Sequence, residues 1–429
     1  MNEQIILQLS TEAIKNIIVD KKTFPKALKG AFENAEVIPE VKSNVAAFVG
    51  CVLRHYYVFE RFVIDNFEKL KIEQVIQIYL VLANKLFLKR LDNNACLALL
   101  EEEFKKANTP YDKEKNEDLF QKVGGEIPLI PESVDKGSYE FLSLRFNTPL
   151  WLVKMWIKHY GRGLTYKILK ANSRPSSLSV RVNTVLTSKE ELLEKHENSL
   201  SSSEVEDMLI YKKRSSIRKE SFNRENLVFP ESLSMKYLFD LLEIDKLKTT
   251  AIYAHDYNSS YLELAVRLKN NIKFDVIVPG GRDLYQYRSG IANFKLSKRI
   301  KVYECSITGL ISVLSEPVSN FIVFPKSSNF ELLRSDPDYF LHFESEAMDE
   351  LVQIQMTTLK ECSKFVENGG RLIYVIPTIS KKEGTYTVSN FIKNNPEFKL
   401  LVEKQIFPFE SFDSCLYFAI ISKEEPKLD

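Results

Sequence analysis

Residues 273–283 read KFDVIVPGGRD, a run of β-branched and apolar residues that stops at Pro279 and turns through Gly280 and Gly281 into a helical pattern. A strand that ends in adjacent glycines and feeds a helix opens an α/β unit, because glycine lets the backbone turn sharply and approach a ligand closely. Similar runs recur on either side, at RIKVYEC (299–305), NFIVFP (320–325), RLIYVIP (371–377) and CLYFAIIS (415–422), with helical stretches such as 346–365 between them. Strands alternating with helices predict a mostly parallel, doubly wound sheet whose ligands sit beyond the carboxyl ends of the strands. The residues at those ends are Pro279, Gly280, Gly281, Glu304, Pro325, Lys326, Ser327, Pro377 and Thr378. Glu304 ends the next strand about 23 residues after the glycines, near the spacing at which an acid accepts hydrogen bonds from a ribose. A glycine turn beside a surface glutamate accounts for the same residues.

The whole chain has 429 residues, too many for one ordinary core, with 44% apolar and 27% charged residues, as in globular proteins. From about residue 4 to 122 the apolar residues recur at three and four, as in VAAFVGCVLRHYYVFERFVIDNFEKL, and predict an all-α domain over 1–125. Gly, Pro and charge then displace the apolar stripe, predicting a linker over 126–140, a small α+β extension over 141–250 and the α/β domain over 251–429. Cys51, Cys96, Cys305, Cys362 and Cys415 form no CxxC pair, and His55, His159, His196, His255 and His342 stand apart, so neither a metal site nor a disulfide frame is expected. No apolar run has the length of a membrane span and the N-terminus lacks a signal-peptide pattern, so the expected setting is cytoplasmic and reducing.

The net charge is only +1, so attraction to nucleic acid has to come from local clustering. Such a cluster exists: residues 141–189 contain no acid but nine cations, including Arg145, Lys154, Lys158, Arg162, Arg174 and Arg181, interleaved with Trp151, Trp156, Tyr160 and Tyr166. Phosphate-neutralising charge beside stackable rings is the composition of RNA-binding surfaces. An amphipathic helix with Trp151, Leu152 and Trp156 on its core face and the cations in solvent fits the same residues equally well. A second basic cluster (Lys212, Lys213, Arg214, Arg218, Lys219) lies in a Ser-rich stretch that suits a solvated loop.

The runs FNTPLWLVKMWIKHYG (146–161) and ANSRPSSLSVRVNTVLTSKEELLEK (171–195) resemble a segment of the RNA cytosine-5 methyltransferases of the Sun/Fmu (RsmB) family, which reads hP-x-WLv-x-x-W-x-x-x-yG, then a-N-x-x-P and R-V-N. Arg181, Val182 and Asn183 supply the last of these; Asp256 in YAHDYNSS stands in the family's QD-x-S-S element, and PGG at 279–281 resembles its DxCAAPGGK. LVQIQMTTLKECSKFVENGGRLIYVIPT (351–378) is similar without a gap to the family's LxxLQxxLL…LKxGGxLVYATCS, with Gln355, Gly369, Gly370 and Tyr374 in place, and FVGCVLR (48–54) resembles its NusB-like RNA-binding domain.

The resemblance implies a NusB-like helical domain, a basic RNA-binding extension and a Rossmann-like methyltransferase domain acting on cytosine C5 of small-subunit ribosomal RNA. It implies S-adenosylmethionine as cofactor, held by Pro279, Gly280, Gly281, Arg282 and Glu304, and contact of structured RNA with Arg145, Lys154, Lys158, Arg162, Arg174, Arg181 and Asn183. In the family one cysteine thiolate attacks cytosine C6 and a second assists release. Here those positions are Pro377 and Lys326, and Val323 replaces the preceding acid. A lysine ammonium has no free electron pair with which to attack. The cofactor loop departs too, with Arg282 for lysine and Phe274 for the acid, which weighs against retention of the cofactor. Between Glu304 and NFIVFP there is too little chain for a helix, a further strand and a return helix, so a third strand is expected to be missing. The expected function is therefore that of an RNA-binding relative with impaired or lost catalysis. Its alternatives are an active S-adenosylmethionine-dependent RNA methyltransferase with a non-standard site and a protein-binding scaffold in ribosome assembly.

Overall fold

A computed structural model describes residues 2–33, 35–124, 129–174, 177–213, 216–243, 249–267, 273–410 and 414–424. Residues 126–128 of the expected linker and Arg214 of the basic loop lie outside the described residues. The chain forms two compact units, Met1–Arg174 with Leu332–Ser345, and Pro175–Glu331 with Glu346–Asp429.

The first unit is helical: α1 (Asn2–Ile18), α2 (Phe24–Glu33), α3 (Pro39–Arg54), α4 (Tyr56–Asn66), α5 (Ile72–Ala83), α6 (Asn93–Lys106), α7 (Lys113–Lys122), α8 (Tyr139–Arg145) and α9 (Leu150–Asn172). Helix α5 buries nearly its whole circumference, which makes it the centre of a core that includes Phe48, Phe59, Tyr79 and Phe104. Asp92, Asp112 and Ser138 cap α6, α7 and α8 by accepting from backbone N–H groups of the first turn. In α9, Leu152, Trp156, Ile168 and Leu169 are buried while Lys154, Lys158, Arg162, Lys167 and Lys170 are exposed. Trp156 is thus core, and the cations are solvated. Gly161 breaks the helix at φ 75°, ψ 168°, a conformation open essentially to glycine alone. Helices α8 and α9, grouped on sequence with the extension, belong to this first unit, where α8 packs against α4.

The second unit starts with an α+β layer: β1 (Leu178–Val182), α10 (Lys189–His196), β2 (Leu200–Ser202), β3 (Met208–Tyr211), α11 (Ser221–Arg224), β4 (Val228–Pro230) and α12 (Leu233–Leu241). Its sheet is antiparallel in the order β2-β3-β1-β4. Then follow β5 (Thr250–Ala254), α13 (Ser260–Arg267), β6 (Phe274–Val278), α14 (Arg282–Asn293), β7 (Ile300–Glu304) and β8 (Val318–Phe324). The chain next gives α15 (Tyr339–His342) to the first unit and completes the second with α16 (Ala347–Ser363), β9 (Val366–Ile376), α17 (Thr387–Asn394), β10 (Phe398–Ile406) and β11 (Leu416–Lys423). The larger sheet has the order β10-β11-β9-β8-β5-β6-β7, parallel from β9 to β7 and antiparallel at β11 and β10. This is the expected Rossmann-like architecture.

The expectation of a missing third strand is overturned. TAIYA at 250–254, fully buried between β8 and β6, is itself the first strand of the parallel set, so β6 is the second and β7 the third. The economy of chain falls on the return from β7, where a short 3₁₀ turn over Ile307–Ser312 replaces a longer helix.

The return of 332–345 to the helical unit has a local cause. The buried carboxylate of Asp338 accepts the N–H of Phe24 at 2.8 Å, at the start of α2, and lies 3.0 Å from His342 Nε2. Lys21 donates to the carbonyl of Leu341, and Phe343 stacks on Trp151.

Candidate functional site

In a sheet of this order the winding reverses between β5 and β8, and a ligand crevice lies beyond the carboxyl ends of those two strands. The loops to examine are therefore 255–259 after β5 and 325–329 after β8. Pro279, Gly280 and Gly281 instead follow β6, one strand further out. The structure does bring them beside Glu304, because Val278 pairs with Glu304 across β6 and β7. The Glu304 carboxylate lies over Gly280, whose φ is +114°, and a Cβ there would meet it at 2.3 Å. Gly280 thus serves its own turn and its neighbour. Gly280→Val is expected to lower unfolding free energy by roughly 1–3 kcal/mol through backbone strain, with unchanged RNA affinity; a thermal melt paired with an RNA titration checks both.

The first βα turn carries no glycine; it reads His255, Asp256, Tyr257, Asn258, Ser259. Several of the hydrogen-bond donors here are already used. The N–H of Asn258 donates to Tyr287 Oη at 3.2 Å, the N–H of Ser260 to Asn258 Oδ1 at 3.0 Å, and the hydroxyl of Ser259 to the carbonyl of Pro230 at 2.5 Å. Tyr257, Tyr261 and Tyr287 pack together with ring centroids 5.0–6.3 Å apart, and burial raises all three phenols above the ordinary range. A nucleoside cofactor needs close backbone approach and free amides at this turn. Here no glycine opens the turn, and the amides of Asn258 and Ser260 are engaged.

Beyond β8 and β9 the loops converge on Glu383, a fully buried carboxylate that sequence reasoning did not single out. It accepts from Ser328 N at 2.8 Å, Ser328 Oγ at 2.7 Å, Thr378 Oγ1 at 2.7 Å and Gln355 Nε2 at 3.0 Å. Gln355 also donates to the carbonyl of Lys326, and Tyr374 Oη donates to the carbonyl of Glu383. A buried carboxylate with four donors is a structural tie, with no lone pair directed at a ligand. It lies in KKEG, a stretch with the look of a surface loop, so no local signal marked it.

Residues 148–207 match the RsmF/B-like methyltransferase ferredoxin-like domain. The probable ribosomal RNA small subunit methyltransferase B of Bacillus subtilis is 22% identical over 291 residues, 62% of this chain, and the chain spans 60% of that relative's length. The crystal structure of PH0851 superposes with a TM-score of 0.76 over 98% of both chains at 18% identity. A methyltransferase homologue from Pyrococcus horikoshii gives 0.57 over 67% of this chain and 99% of its own, at 15% identity. The chain is thus similar to RsmF/B-like methyltransferases in sequence over part of its length, and shares its fold with the superposed structures.

Lys326 is exposed in the loop after β8, and Pro377 is half-buried after β9. No cysteine lies in either loop. Cys362 is buried in α16, where burial holds its thiol well above the ordinary range, and Cys305 is buried after β7.

Two of the expected RNA contacts are corrected. Arg181 is buried, its Nε 2.7 Å from Glu263 and its NH1 3.1 Å from Asp207, so it answers internal carboxylates rather than phosphate. Asn183 is buried as well, donating to the carbonyl of Asn226 and accepting from Val185 N. Arg145, Lys154, Lys158, Arg162 and Arg174 are exposed on the helical unit. Among the described residues, no group of three or more His, Cys, Asp or Glu could hold a metal, and no helix is long and apolar enough to cross a membrane.

Proposed function

We propose that this Sun/Fmu-type protein binds structured ribosomal RNA through its helical unit and has lost cysteine-dependent cytosine-5 methylation. The observation that carries the proposal is the Glu383 tie. In the two loops where the family's thiols act, the chain has no sulfur, and Ser328, Thr378 and Gln355 are engaged with a buried carboxylate. The first βα turn supports the same reading, because it has no glycine and Tyr287 and Asn258 take two of the amides nearest it. No step is assigned to S-adenosylmethionine.

RNA binding is supported by the exposed cations of α9, which stand on a helix whose opposite face is core, leaving Lys154, Lys158 and Arg162 in solvent. The relative in Bacillus subtilis bears a name that points to small-subunit ribosomal RNA. Lys154→Glu, Lys158→Glu and Arg162→Glu together are expected to weaken binding of a small-subunit RNA fragment about tenfold or more and to flatten the slope of log affinity against log salt by about two units. Affinity measured by anisotropy across a salt series decides the matter. Unchanged affinity and slope would favour a protein-binding scaffold instead.

A further inference from the structure

The helical unit has a cavity of its own, of about 150 Å³, where the ends of α3, α8 and α9 meet segment 332–345. Arg54, Arg145, Phe146, Phe340 and the carboxylate-bearing Asp336 are among the residues that line it. At ~30 Å³ per water molecule the volume equals that of about five waters, which is the scale of one aromatic ring system rather than of a peptide helix. Both arginines are exposed, and the guanidinium of Arg145 lies over the rings of Phe141 and Phe146.

Two asparagines line this cavity, and they differ in what is left to them. Asn147 is spent on the fold, donating to the carbonyl of Leu53 at 2.9 Å and accepting the N–H of Tyr57 at 3.0 Å. The amide nitrogen of Asn172 is buried and has no hydrogen-bond partner among the described residues. A buried donor without an acceptor is destabilising, and a ligand atom that supplies one removes the penalty. His55, stacked on Phe87 at 3.8 Å, is pushed by burial down to about 4 and is neutral at physiological pH, so the cationic charge here comes from the arginines. The exposed Lys170 and Arg174 flank Asn172 in sequence and continue the basic surface of α9 to the cavity.

We propose that this cavity receives one unstacked nucleobase from a single-stranded loop of RNA, with flanking phosphates on Arg54 and Arg145 and the Asn172 amide donating to an acceptor on the base edge. Aromatic rings, an amide and guanidinium groups are what recognition of a splayed-out base requires, and a paired helix cannot enter so small a space. The proposal rests on the RNA-binding function proposed above and adds to it a preference for looped RNA.

The test uses the full chain and three fluorescent RNAs of equal length: a hairpin with an unpaired loop, the same hairpin with an abasic loop, and a perfect duplex. Wild type is expected to bind the intact hairpin about tenfold more tightly than the other two. Asn172→Ala is expected to erase that preference while leaving duplex affinity within about twofold, whereas Arg145→Ala is expected to weaken binding of all three RNAs. Equal wild-type affinity for the intact and abasic hairpins would overturn the base pocket while leaving RNA binding intact. So would a preference retained in Asn172→Ala. Absence of binding to all three RNAs would overturn the RNA-binding function itself, and with it the pocket.

Discussion

Replacing Glu263 by alanine is expected to lower the unfolding free energy of the second unit by about 3–5 kcal/mol. Glu263 has no exposed surface and sits between two guanidinium groups, Arg181, whose side chain is 4% exposed, and Arg267. Arg181 also reaches Asp207, and Arg267 reaches Asp240, which Lys236 joins, so three cations and three carboxylates form one cluster. Removing the carboxylate at its centre leaves Arg181 and Arg267 desolvated with only their outer partners, and an uncompensated buried charge is among the costliest single changes. Urea unfolding followed by tryptophan-independent circular dichroism reads the loss as a lower midpoint. A shift below about 0.5 kcal/mol, the range of ordinary surface substitutions, would show that the cluster is not a structural centre. The same logic separates the two views of Arg181: Arg181→Met, which keeps much of the stem and drops the charge, is expected to destabilise without changing the RNA affinity of the folded fraction.

The second large effect is the absence of one. Purified protein is expected to give no saturable heat with S-adenosylmethionine or S-adenosylhomocysteine at millimolar ligand, and no methyl transfer to small-subunit ribosomal RNA above a no-enzyme control. Pro377→Cys with Lys326→Cys is expected to leave transfer at background. Thiols alone do not restore the reaction, because the methyl donor would still meet a turn whose Asn258 and Ser260 amides are engaged and whose surroundings are filled by Tyr257, Tyr261 and Tyr287. Micromolar binding of either ligand would refute the proposed loss of the cofactor. Transfer by the unaltered chain would refute the loss of catalysis.

The helical unit was legible because its signal is local: apolar residues three and four apart place one face of α1 and α3 inward wherever the helix lies. The five strand runs quoted from the sequence all became strands, at β6, β7, β8, β9 and β11. The strand that mattered most for the site, β5, was passed over because TAIYA lies in a stretch that resembled a loop element of the family, and five buried residues carry little periodicity. That oversight moved the expected cofactor residues one strand outward, to Pro279, Gly280 and Gly281.

By itself the sequence determined the two classes of secondary structure, the resemblance to Sun/Fmu-type methyltransferases, the cation cluster of α9 and the absence of cysteine just after NFIVFP and RLIYVIP, all of which depend on residue identity and short spacing. Only the tertiary structure decided that Arg181 and Asn183 are buried, that Glu383 ties the loops after β8 and β9, and that Arg54, Arg145 and Asn172 share one cavity. Strand order and the choice of partner for a charge are settled by contacts between residues tens to hundreds of positions apart, and spacing along the chain carries no record of them.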